Sequence, residues 1–102
     1  MKIMINNKTY DIEMYISPWK RLIGFMGKKN IDKVICFPRC NSIHTFFMKC
    51  PIGVIFLDKH KNVLKVINHL KKNRICTCKS ARYVIECNTD LLKDKPIIKI
   101  IR

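Results

Sequence analysis

This sequence is poor in carboxylates. Its 7 Asp and Glu stand against 21 Lys and Arg, a formal net charge of +14 over 102 residues. Asp11, Glu13, Asp32, Asp58, Glu86, Asp90 and Asp94 are scattered over predicted turns and strands. No two have the spacing that a general acid and a general base need around one reacting bond. A nucleophile would need an oriented base beside it, and His44 with a cysteine is the one combination worth weighing. Cys50 is near it, but an even separation along one strand does not bring two side chains into hydrogen-bond contact. The enzyme reading is therefore the weaker one, and no cofactor is expected.

Other absences narrow the reading further. No apolar run is long enough to cross a bilayer as a helix. Asn6, Asn7 and Lys8 break any early apolar segment, so no secretory leader is expected and the expected location is the cytoplasm. Cysteines there stay reduced. The 6 cysteines lack the two-residue gap of a zinc knuckle, since Cys36 and Cys40 stand four apart and Cys76 and Cys78 two apart. A metal site built from Cys36, Cys40, Cys76 and Cys78 is a minor alternative to small buried hydrophobes. If formed, it would supply folding energy directly. There is no arginine-rich block, no nucleic-acid motif, and no repeat, linker or low-complexity segment. The lysines are dispersed, with short clusters at 28–29, 59–61 and 71–74. Such an excess attracts nucleic acid or an anionic membrane surface weakly, with steep salt dependence and without reading sequence. It equally fits a uniformly solvated surface.

What is present is a chain of ordinary hydrophobicity, 48%, long enough for one domain spanning 1–102. Residues 1–5 and 9–16 read as a hairpin around Asn6-Asn7-Lys8. Tyr10, Ile12, Met14 and Ile16 share one face, and Asp11, Glu13 and Tyr15 the other. Ser17-Pro18 signals a helix start. Trp19, Leu22, Ile23 and Met26 follow at helical spacing, and Gly27 suits the C-terminal cap. Residues 34–37 form a short strand ended by Pro38, followed by a loop over 39–42.

The densest apolar stretch follows, as two predicted strands. In 43–49, alternation places His44, Phe46 and Met48 on one side and Ile43, Thr45, Phe47 and Lys49 on the other. Cys50-Pro51 interrupts the ladder. Residues 52–57 read as a central buried strand in which Gly53 marks a bulge or the close approach of another backbone. A polar turn at 58–62 leads to a strand over 63–70, with Leu64, Val66 and Leu70 on one face and Lys65, Ile67 and His69 on the other. A basic loop over 71–79, a strand over 81–87, a helical turn capped by Asn88 or Thr89, and a last strand after Pro96 complete the chain. The fold class is mainly β (α+β): a small, mostly antiparallel sheet curled towards a barrel, with one short amphipathic helix.

Three stretches resemble a known family. Residues 21–28, RLIGFMGK, resemble its R-x-x-G-L-M-G-R/K helix. Residues 43–58, IHTFFMKCPIGVIFLD, resemble its I-H-S/T-F-x-M-R/K-x-P-I/L-D-V-x-F-L-D core. Residues 81–86, ARYVIE, resemble its A-x-x-V-L-E strand. The family is DUF192 (UPF0127). The resemblance spans about residues 9–100 and implies a compact β-rich domain whose biochemical role is not established. Gly53 stands where the family usually has aspartate, so any chemistry resting on that acid would be absent. Lys72-Asn73 replaces a common Pro-Trp before Arg74, and Cys87-Asn88-Thr89 replaces Leu-Pro-Ala-Gly after Glu86.

The candidate site follows from the polar groups beside the central stretch. Arg21, His44 and Lys49 would meet near Met26, Phe46 and Met48, a cationic spot against an apolar wall. That suits a small anionic ligand or the acidic end of a protein partner. The alternative is structural: Arg21 pairs with Glu86 or Asp58, and the methionines fill the core.

Overall fold

Nine short strands and one 3-10 turn are seen in a computed structural model, which describes residues 1–16, 33–46 and 48–101. The strands are β1 (Lys2–Ile5), β2 (Lys8–Met14), β3 (Val34–Pro38), β4 (Ser42–His44), β5 (Ile52–Leu57), β6 (Val63–Leu70), β7 (Ile75–Thr77), β8 (Tyr83–Cys87) and β9 (Ile98–Ile101), with the 3-10 turn at Thr89–Leu92. The predicted helix from Ser17 to Gly27 lies outside the described residues. Seven strands form one curled sheet in the order β6-β5-β8-β3-β2-β1-β9, a half-barrel, while β4 and β7 pair separately. Its neighbours are antiparallel except β2 and β3, which run parallel.

Local chemistry explains the turns. Asn6 and Asn7 take left-handed φ values of 50° and 70°, as a two-residue hairpin turn demands, and asparagine tolerates that region. Asp58 Oδ1 accepts from the amides of His60 at 2.8 Å and Asn62 at 2.9 Å, closing the turn into β6. The Asn62 amide, with that of His60 and the Asn62 side chain, holds the Asp58 carboxyl below the usual range. Asn88 caps the 3-10 turn by accepting from the Asp90 amide at 2.9 Å.

The sheet buries both faces. Ile3, Ile5, Ile12, Val34, Cys36, Ile55, Leu57, Ile85, Cys87 and Leu92 form one cluster, joined by Val66, Ile98 and Ile100. It draws side chains from all seven strands, so it fills the concave side. The convex side carries Ile35, Phe37, Ile52, Val54, Phe56 and Val84, covered by Ile43 of β4 and by Met48. With both faces covered, β5 is buried at every position, and this explains its unbroken apolar run. Gly53 sits opposite a register shift between β5 and β6. A Cβ there would lie 2.7 Å from Leu92 Cδ1 and 3.3 Å from Cys87 Sγ. The neighbour that demands glycine is thus a pair of buried side chains.

Three predicted face assignments are corrected. In β6 the register passes from Ile52↔Leu70 to Val54↔Ile67, so β6 spends three residues where β5 spends two. This bulge puts Leu70 with Ile67 on the convex side, away from Val66. Alternation in β2 stops where the strand stops: Tyr15 turns into the convex cluster and Ile16 is left 59% exposed. The third correction concerns 43–49. The strand ends at His44, and the residues after it bend.

Candidate functional site

The cause of that bend is Thr45. It is fully buried, and hydrogen bonds from its amide, carbonyl and hydroxyl tie it to the loop before β7. Its amide donates to the Arg74 carbonyl at 2.8 Å, and its carbonyl accepts from the Asn73 amide at 3.1 Å. Its hydroxyl donates to the Lys71 carbonyl at 2.6 Å and accepts from the Arg74 amide at 2.8 Å. A hydroxyl that both donates and accepts replaces the ladder that a longer β4 would have supplied. Asn73 takes a left-handed φ of 59° to wrap around it.

With Thr45 pointing in, its two neighbours point out. His44 and Phe46 are exposed, and their rings stack at 5.6 Å between centroids with 29° between planes. His44 pairs with Ile75 in the β4–β7 register, and Ile75 is 68% exposed. Lys71, Lys72 and Arg74, in the loop that Thr45 pins, are exposed too, and the Arg74 guanidinium donates to the Lys72 and Asn73 carbonyls at 3.3 Å. Thr45 thus joins the segment that carries the exposed ring pair to a loop that carries exposed cations.

No carboxylate neutralises those cations among the described residues. Asp11, Glu13 and Asp90 pair with Lys2, Lys33 and Lys93. Asp58 is engaged in its turn. Glu86 is buried on the convex side opposite Ile35 and Val54, and burial pushes its carboxyl up to about 8.

The predicted site is thus assembled in part. His44 and Phe46 come together. Lys49 is exposed in the bend beyond them. Met48 is not on their side: it is buried in the convex cluster, because the chain has left the strand before it. Arg21 and Met26 lie outside the described residues. Thr45 and the 71–74 loop were not predicted as parts of the site. The available signal was a small hydroxyl residue between two aromatic rings, beside a strand with no polar face.

The four cysteines of the metal alternative are not brought together. Cys36 packs on the concave side, whereas Cys40, Cys76 and Cys78 pack against the convex cluster. Among the described residues no group of three or more His, Cys, Asp or Glu is placed to hold a metal ion. Burial pushes the Cys36 and Cys87 thiols up to about 12, so both remain protonated and unreactive at neutral pH.

Thr45→Val keeps the side-chain volume but removes the hydroxyl. It leaves the Arg74 amide and the Lys71 carbonyl short of partners, a loss of about 2–3 kcal/mol. Urea unfolding should report that loss, and the amide resonances of residues 71–75 should broaden. Unchanged resonances would mean that the loop does not depend on Thr45.

A half-barrel of this topology defines a small β-rich domain. This chain belongs to the DUF192 family, whose model, described as an uncharacterized conserved group, matches residues 1–99. It is 38% identical over 81 residues to the UPF0127 protein TK1120 of Thermococcus kodakarensis, covering 72% of this chain and 51% of that protein. The chain therefore spans about half the length of this relative. Two solved structures share the fold. One is a protein of unknown function from Novosphingobium aromaticivorans, with a TM-score of 0.73 at 11% identity over 98% of this chain and 84% of that one. The other, titled a putative transcription regulator, is from Sinorhizobium meliloti, with a TM-score of 0.75 at 15% identity over 96% and 91%. No described helix is long and apolar enough to cross a membrane.

Proposed function

We propose that the chain is a non-enzymatic binding module for a small anionic ligand bearing a flat apolar group. The carrying observation is the exposed His44–Phe46 stack, on either side of Thr45, whose hydroxyl ties this stretch to the basic 71–74 loop. The rings supply a stacking floor, and Lys71, Lys72, Arg74 and Lys49 supply charge-assisted hydrogen bonds to the anion. Because the loop is tied down before the ligand arrives, little ordering cost opposes binding. The absence of aspartate at Gly53, where the resembling family usually carries it, and the protonated state of Cys36 and Cys87 favour binding over catalysis.

Adenosine monophosphate and inorganic phosphate serve as probes with and without a flat group. Titration followed by heteronuclear NMR should move the resonances of His44, Phe46 and residues 71–75, more for the nucleotide than for phosphate. Phe46→Ala should weaken the nucleotide by about tenfold, the value of a lost stacking contact. Unmoved His44 and Phe46 resonances would end this reading. The net charge of +14 favours a second one, weak polyanion binding. That binding would fall steeply with salt and ignore Phe46→Ala.

A further inference from the structure

The paired ends of β3 and β8 carry like charges. Their antiparallel register closes at Pro38↔Tyr83, so Arg39 and Arg82 are the next residues on the two chains. The main chains stay joined beyond that point. The Cys40 amide donates to the Arg82 carbonyl at 3.1 Å, and the Arg82 amide to the Leu57 carbonyl at 2.8 Å. Two exposed guanidinium side chains are therefore rooted on adjacent backbone. Like charges set opposite each other destabilise a strand pair unless something neutralises them. Among the described residues no carboxylate forms an ion pair with either arginine.

Both arginines line one open concavity of about 490 Å³, together with Cys40, Asn41, Ser42 and Ala81. Small-molecule sites run from about 300 to 1,000 Å³. The floor is fixed, because Ala81 belongs to the convex cluster and Cys40 packs against it. The walls are tied together: the Ala81 amide donates to the Cys78 carbonyl at 3.0 Å, and the Cys78 amide to the Asn41 carbonyl at 2.9 Å. The polar groups of the lining are rich in donors, and no acidic side chain is among them. Arg82 spends one guanidinium N–H on the Ala81 carbonyl at 3.1 Å, which holds the head at the rim and leaves the rest of its fork unspent. The hydroxyls of Ser42 and Thr77 share one hydrogen bond at 2.9 Å, so the pair still has an O–H to give. Arg39 takes a left-handed φ of 52°, a region suited to glycine and tolerated by asparagine. Strain of this kind persists where the surroundings impose it, and it clusters at ligand clamps.

We propose that this concavity binds the phosphate group of a small phosphomonoester between the guanidinium groups of Arg39 and Arg82. The planar fork of arginine matches phosphate oxygens with paired, charge-assisted hydrogen bonds. The Asn41 side-chain amide and the Ser42 hydroxyl serve the remaining oxygens. Two fixed positive charges are better neutralised by a dianion than by a single carboxylate. The lining holds no aromatic ring and no large aliphatic side chain, so the phosphate is what is held and the rest of the molecule stays in solvent. The site lies where β4 begins, whereas His44 and Phe46 lie at its end and beyond it. It uses neither ring and none of the cations of the 71–74 loop, so it stands or falls apart from the binding reading above.

The test titrates inorganic phosphate, methyl phosphate and acetate into the full chain at constant ionic strength, followed by heteronuclear NMR of the arginine side chains and the backbone. Both phosphates should move the Nε–H resonances of Arg39 and Arg82 and the amides of residues 40–42 to saturation, and acetate should not. Arg39→Lys with Arg82→Lys keeps the net charge of +14 but removes both forks, and should weaken phosphate by about tenfold or more. Arg39→Gly suits the left-handed backbone, so the chain should melt no lower while phosphate binding weakens to a similar extent. That variant separates lost binding from lost folding. Phe46→Ala should leave phosphate at this site unaltered. The proposal is overturned if the lysine pair binds phosphate as tightly as the parent, since attraction would then be charge alone. It is equally overturned if phosphate leaves the Arg39 and Arg82 resonances unmoved, or if Phe46→Ala abolishes their response, which would assign the anion to the His44–Phe46 surface.

Discussion

Glu86→Gln should match the parent chain's pH dependence only at the acid end, and gain on it by up to about 5 kcal/mol as the pH rises from 4.5 to 8. Glu86 is 6% exposed on the convex side, flanked in register by Ile35 and Val54, and no described residue pairs with its carboxyl. Burial raises that carboxyl from 4.5 to about 8. In the unfolded chain it ionises near its ordinary value, while the folded chain keeps the proton. Within this window the folded state binds more protons than the unfolded state. Each pH unit therefore removes about 1.4 kcal/mol of stability, and the loss stops once the folded carboxyl has ionised too. Below pH 4.5 the stability is fully present. Glutamine has no such slope. Its amide brings donors of its own, which cost about 1–3 kcal/mol if left without acceptors, but that offset is constant in pH. Urea unfolding of both chains from pH 4.5 to 9 measures the difference, and parallel curves would show that the carboxylate is already ionised and compensated in the fold.

Gly53→Asp should cost about 4 kcal/mol or more, a large part of the 5–15 kcal/mol typical of a domain. Two effects combine. The new Cβ would meet Leu92 Cδ1 at 2.7 Å and Leu92 Cγ at 3.2 Å, and Leu92 is itself fully buried. Overpacking of this kind costs about 1–3 kcal/mol. The carboxyl would then sit on the concave side among aliphatic groups, a desolvation penalty of several kcal/mol. Gly53→Ala should show the first effect alone. Leu92→Ala by itself leaves a cavity worth about 2–5 kcal/mol. Because the two positions touch, Gly53→Asp with Leu92→Ala should be less destabilising than the sum of the singles by about 1 kcal/mol or more. Additive losses in chemical denaturation would separate Gly53 from Leu92. The expected penalty also bears on the resemblance: this interior is packed around a glycine, and restoring the aspartate is not a conservative change here.

Features that depend on a few adjacent residues were legible in the sequence. The Asn6-Asn7 turn, the turn at 58–62 and a cap at Asn88 or Thr89, which proves to be Asn88, were read from residue types alone, because asparagine and aspartate bond their own neighbouring backbone. The buried character of β5 was legible from its run of apolar residues, and Gly53 from its interruption of that run. Partnerships were not legible. Spacing says that a segment is a strand, but not that β1 will pair with β9 or that β4 will leave the main sheet to join β7. The site divided along the same line. His44 and Phe46 were found together because alternation still held across them. Met48 was placed wrongly because one buried hydroxyl, bonded to residues about thirty positions away, ended the strand. The basic 71–74 loop was visible as composition, while its attachment to Thr45 is a tertiary fact.

The pairing of β1 with β9 sets Lys2 beside Ile101 and Ile5 beside Ile98. During synthesis β1 therefore has a raw flank until β9 has cleared the ribosome, so the half-barrel cannot mature stepwise from β1 onward. Such distant closure is the kind that slows folding.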